Sequence, residues 1–122
     1  MLENLLVLLA PTYVEQDEKV VINAVREYVK EHYTEQQWKC IDELWQRESS
    51  WQTRTKPWRA RNESSGAYGI PQALPASKMA THGLDFTTNP YTQVKWGISY
   101  IESRYQGNPC RALAFHDRKG WY

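Results

Sequence analysis

A chain of 122 residues makes a single domain, long enough to bury a core of its own. Fifteen basic residues nearly cancel 14 acidic ones, and a net charge of +1 gives no case for nucleic-acid binding. The aromatic residues are six Trp and eight Tyr against two Phe, and rings with polar edges serve either a core or a groove in which they stack on sugar faces.

The apolar run Leu5-Leu6-Val7-Leu8-Leu9-Ala10 stops at Pro11, far short of a membrane span. Glu3 is the only charge near it and no small-residue cleavage site follows, so no signal peptide is expected, only a helical turn packed on the body. From Asp17 to Tyr33 the spacing predicts an amphipathic helix, with Val20, Val21, Ala24, Val25, Tyr28 and Val29 on one stripe. Thr34-Glu35-Gln36-Gln37 reads as a capping box that opens the next helix.

That helix carries the main anomaly of the chain. Trp38, Ile41, Leu44 and Trp45 recur every three or four positions, and the next member of the series is Glu48. A carboxyl there stands where an apolar group is called for, near the helix C-terminus, where the macrodipole disfavours negative charge. Burial and dipole both raise its pKa towards the range of a general acid. A boundary Glu that swings out to solvent fits the same spacing.

Cys40 and Cys110 stand far apart, and without an export signal two buried thiols are expected in preference to a bridge. His32, His82 and His116 share no ligand-like spacing with them, so neither a metal site nor a cofactor is expected.

Periodicity vanishes from Gln52 to Ser65, where Arg54, Lys56, Arg59 and Arg61 interleave with Trp51 and Trp58. This is read as a solvated loop, with a grip on nucleic-acid phosphates or on the carboxylates of an anionic glycan or peptide as the alternatives. Gly66 and Gly69 around Tyr68 mark a tight backbone, and Pro71 suits the first turn of a short helix. A further short helix is expected from Pro75 to Thr81, stopped at Gly83. Asn89-Pro90 and Asn108-Pro109 each pair an N-cap with proline at the first helical position. The first opens a helix with Tyr91, Val94, Ile98, Ile101 and Tyr105 in step, ending at Gly107; the second opens a helix to about Lys119, stopped by Gly120. No strand-like alternation of useful length occurs, so the domain is expected to be mostly α.

Glu48-Ser49-Ser50-Trp51, then Ser65-Gly66-Ala67-Tyr68-Gly69-Ile70-Pro71-Gln72, then Asn89-Pro90 and Trp96-Gly97, resemble the soluble lytic transglycosylase domain. This is the goose-lysozyme-like branch of the lysozyme superfamily, in the short form of phage and actinobacterial cell-wall proteins. The resemblance covers roughly Glu35 to Tyr122 and implies a mostly α, lysozyme-like single domain of about six helices with a substrate groove. It divides the chain into residues 1–33, an N-terminal helical segment packed on the body, and residues 34–122, the catalytic domain. By similarity Glu48 is the catalytic acid, and Ser49, Ser50, Tyr68, Gln72, Phe115 and His116 contact substrate. Ala114-Phe115-His116 stands at the family's Ala-Tyr-Asn motif, so Phe115 lacks the hydroxyl usual beside the catalytic carboxyl.

The resemblance implies non-hydrolytic cleavage of peptidoglycan between N-acetylmuramic acid and N-acetylglucosamine, by one acid and with a 1,6-anhydro product. The implied protein is a monomeric phage lysin or virion-associated enzyme, or a domain of a secreted protein, acting on glycan strands without nucleic acid or stable membrane insertion. A hydrolytic muramidase on the same fold and a non-catalytic glycan-binding virion module are the alternatives. An ordinary inverting hydrolase needs a second carboxylate, for which Glu63 and Asp85 are the candidates.

Overall fold

The computed structural model of the protein describes residues 10–122, and the apolar stretch from Leu5 to Leu9 lies outside them. Four α-helices follow in order: α1 (Ala10–Lys30), α2 (Glu35–Ser49), α3 (Pro90–Tyr105) and α4 (Pro109–Lys119). Between α2 and α3 lie two 3-10 segments, Pro57–Arg59 and Ala76–His82. The only β-type pairing among the described residues is two isolated bridges, Arg61 to Tyr68 and Tyr68 to Ala73. The mostly helical class expected from the sequence is what forms.

Helix α1 starts before Asp17, and its buried face is rotated from the expected stripe. Ile22, Val25 and Val29 are buried, Val21 and Tyr28 flank them, and Val20 and Ala24 face solvent. These residues enter the same hydrophobic cluster as Ile41, Leu44, Trp45, Val94 and Ile101, so α1 belongs to the common core.

Local chemistry sets the ends of α2. Gln37 N–H donates to Thr34 Oγ1 and Thr34 N–H donates to Gln37 Oε1, which satisfies two free donors at the N-terminus. At the other end Ser50 turns left-handed (φ 57°), and its N–H closes on Gln46 O. Along the inner face Ile41, Leu44 and Trp45 are fully buried.

Helix α3 meets the Trp45 side chain of α2 at Gly97. A Cβ at this position would lie 2.5 Å from Trp45 Cζ2, so the absence of a side chain lets the Trp45 ring sit against the α3 backbone. Four residues earlier Gln93 is fully buried and acts as a clasp for the loops. Its Nε2 donates to Trp58 O and Phe86 O, and its Oε1 accepts from Ile70 N–H. Those bonds hold the connecting segments without strands, since each buried polar group finds a partner.

Helices α2 and α4 pack along each other and are joined by a disulfide between Cys40 and Cys110, with Cα atoms 5.0 Å apart. The expectation of two separate thiols is overturned: the packing brings both Cβ atoms to one seam. Pro71 likewise departs from expectation. It sits in a turn closed by reciprocal hydrogen bonds between Tyr68 and Ala73, with Gly69 (φ 80°) and Gln72 (φ 58°) both left-handed. A helix cannot accommodate two left-handed residues so close together. The short helix expected from Pro75 to Thr81 is present as the 3-10 segment Ala76–His82.

Candidate active site

Glu48 lies in the last turn of α2, one turn beyond the buried Leu44 and Trp45. Its side chain is 19% exposed and opens into a cleft of about 480 Å³. Burial pushes its carboxyl from 4.5 up to about 7, because a charge there loses hydration. Of the two placements that the spacing on α2 allows, the structure has the one at the edge of the core.

The cleft has a floor, a turn and an aromatic wall. Its floor is Tyr122, whose fully buried phenol accepts from Trp45 Nε1–H at 2.9 Å and donates to Pro71 O at 2.8 Å. The backbone oxygen of Tyr122 accepts from the hydroxyls of Tyr100 and Tyr105, each at 2.7 Å. One residue therefore ties α2, α3 and the 68–73 turn together beneath Glu48. Burial, and then the nearby Glu48 charge, hold the Tyr122 phenol well above its usual pKa, so it stays a neutral hydrogen-bonding group.

The 68–73 turn contributes Gln72, whose Nε2 donates to Ala60 O and Gly69 O. Its side chain is thus fixed at the cleft margin. The wall comes from α3, where Trp96 stacks on Tyr100 with ring centres 5.2 Å apart. Trp121 completes the aromatic lining and is half exposed. Asn62 and Ser65 add neutral polar groups from the loop after Trp58.

His116, on α4, brings its Nε2 to 3.3 Å from Glu48 Oε1. Among the expected site residues, Glu48 and Gln72 line the cleft, and His116 touches Glu48 from outside the lining. The remaining four also lie outside the lining. Ser49 is buried with its hydroxyl donating to Trp45 O, and Ser50 serves as the left-handed cap of α2. Tyr68 donates to Thr87 O at 2.7 Å, which fixes the turn to the loop before α3. Phe115 packs edge-on against Trp121, at 4.8 Å, and supports the wall from behind.

Glu48 is the only acidic residue of the lining among the described residues. Asp85 is occupied at the start of α3, where it accepts from Asn89 Nδ2 and Thr92 Oγ1, bonds that hold its carboxyl below the usual range. Glu63 is exposed on a loop. No three of the His, Cys, Asp and Glu side chains among the described residues are grouped to hold a metal ion.

Sequence reasoning missed Tyr100, Arg104, Lys78 and Trp121. A signal for two of them was present: Trp96, Tyr100 and Arg104 recur every four residues on the side of α3 away from Val94 and Ile101. Comparison with protein-family models, with curated proteins and with solved structures finds no match for the chain. No helix among the described residues is long and apolar enough to cross a membrane.

Proposed function

We propose that the protein is a peptidoglycan lytic transglycosylase in which Glu48 is the single general acid and base, and that its fold is lysozyme-like with the cleft as its substrate groove. The observation that carries this reading is the lone carboxyl: half-buried, raised to about 7, and set in a cleft walled by Trp96, Tyr100 and Trp121. A protonated Glu48 donates its proton to the oxygen that links N-acetylmuramic acid to N-acetylglucosamine. That C1–O bond breaks and leaves an oxocarbenium-like centre at C1. The Glu48 carboxylate then takes the proton of the muramoyl 6-hydroxyl as its oxygen bonds to C1, which regenerates the acid and yields the 1,6-anhydro end. Water is not consumed, so a second carboxylate to activate it is not required.

The neighbouring groups fit these roles. His116 brings its Nε2 to 3.3 Å from the Glu48 carboxyl, within reach of the group that moves the proton. Indole and phenol faces of the wall suit the apolar faces of pyranose rings. A virion-associated or lysin role, with glycan strands as the partner of a monomer, belongs to the same proposal.

The test is lysis of purified cell walls by the wild type and by Glu48→Gln. The variant keeps the shape of the side chain and cannot supply the proton, so a loss of at least about a hundredfold is expected. Undiminished clearing would refute the reading. Mass analysis of the released fragments then separates the two chemistries, since products one water heavier than the anhydro form identify a hydrolase. The rate should fall as pH rises past about 7, as the carboxyl loses its proton.

A further inference from the structure

Two cations line the cleft, and the reaction just described uses neither. Lys78 comes from the 3-10 segment Ala76–His82 and Arg104 from the last turn of α3. Ion pairs elsewhere occupy Arg26, Arg47 and Lys56 with carboxylates, whereas Lys78 and Arg104 form none among the described residues. Arg104 is nevertheless held in place. Its guanidinium carbon lies 5.1 Å from the Trp121 ring centre, 5.6 Å from Phe115 and 5.7 Å from Tyr105. Its Nε donates to the Tyr105 hydroxyl at 3.2 Å, which leaves the terminal nitrogens for a ligand. Rings that fix a guanidinium without neutralising it make a preorganised anion site.

Trp96, Tyr100 and Arg104 follow one another at steps of four on α3, so this stripe runs about 12 Å along the cleft. Two rings followed by a cation match a ligand with sugar faces at one end and negative charge at the other. The glycan backbone itself is neutral, because the lactyl carboxyl of muramic acid is consumed in the amide to the peptide stem. The charge must come from the free carboxylates of the stem. Resting on the lytic reading above, we infer that Arg104 and Lys78 are specificity-determining residues that bind stem carboxylates, so the cleft prefers stem-bearing strands to bare ones.

The experiment measures binding with the full chain carrying Glu48→Gln, so that strands are held without being cut. Tryptophan fluorescence is titrated with glycan fragments freed of phosphate polymers, either bearing stems or stripped of them by an amidase, with the lactyl carboxyl so released capped as its methylamide to keep the bare strand neutral. The stem-bearing fragments are expected to bind about tenfold tighter, the yield of one charge-assisted contact, and the difference should shrink with added salt. Adding Lys78→Gln and Arg104→Gln should bring the two affinities together, with circular dichroism confirming an intact fold. Equal affinities before those substitutions overturn the inference, as does a preference that survives them. A phosphate-rich wall polymer supplies the other source of anionic charge, and binding it as tightly as the stem overturns the assignment to carboxylates. Cleavage is assayed separately with the unsubstituted chain. If both substrates are cut at equal efficiency, the stem inference fails and the lytic reading stands; if neither is cut while the binding preference persists, the lytic reading fails and this one stands.

Discussion

A carboxyl raised to about 7 has a thermodynamic consequence that is independent of its chemistry. Between pH 4.5 and about 7 the folded protein holds a proton on Glu48 that the unfolded chain releases. Stability is therefore greatest below this window, declines as pH climbs through it, and levels off above about 7. With a side chain still partly open to water, the loss is on the order of 2 kcal/mol. Glu48→Gln cannot ionise, so its melting temperature should match the wild type at pH 4 and exceed it by several degrees at pH 8. Equal melting at pH 8 would show that Glu48 carries no desolvation strain. Tyr122→Phe tests the floor beneath it: the ring stays, but Trp45 Nε1–H loses its acceptor and Pro71 O its donor. A cost of about 1–3 kcal/mol is expected in denaturant unfolding, together with reduced wall lysis as α2 and the 68–73 turn lose their common anchor. Glu48 was legible in the sequence because a helical period reveals an acid out of place. Tyr122 was not, because its partners lie 77 and 51 residues away and no local pattern points to them.

Elements whose ends are set by neighbouring residues were the most readable. The Thr34 capping box and the Asn89-Pro90 and Asn108-Pro109 starts all formed as the sequence implied, since each satisfies its helix within a few residues. Two other readings failed for tertiary reasons. The buried face of α1 turned towards Ile22 because this helix packs on both α2 and α3, which a single-helix stripe does not encode. The segment around Pro71 became a tight turn because Gly69 lies against Gln93, with a Cβ there only 2.5 Å from Gln93 Oε1. The seat of the Trp45 ring on α3 depends on the same kind of closeness. Gly97→Ala would drive a methyl into Trp45, a ring packed on all sides, and Trp45 also feeds the hydrogen bond to Tyr122. Intrinsic helix propensity favours the alanine by about 1 kcal/mol, and overpacking opposes it by about 1–3 kcal/mol. The clash should win, giving a lower urea midpoint and weaker lysis; a stabilised variant would show that the helices separate freely.

For the whole molecule the decisive cross-link is the one the sequence reading did not expect. Whether two cysteines 70 residues apart meet depends on how α2 and α4 lie together, and this follows only from the assembled core. Once formed, the bridge closes a loop over more than half of the chain and removes conformational freedom from the unfolded state, by about 4 kcal/mol in the chain-entropy account. For a domain of this size that is a large part of the total stability. The bridge also lies roughly two turns from Glu48 along α2 and from His116 along α4, so it holds in register the two helices that bring those side chains to 3.3 Å. Replacing Cys40 and Cys110 together by alanine, or reducing the wild type, should therefore lower the urea midpoint by roughly 2 M. In the absence of urea, the packed core of Ile41, Leu44 and Ala112 should still hold α2 and α4 together. Activity should then persist at low temperature and fail well below the temperature at which the bridged protein fails. A midpoint insensitive to reductant would mean that helix packing alone fixes the seam, with the disulfide adding nothing to the fold.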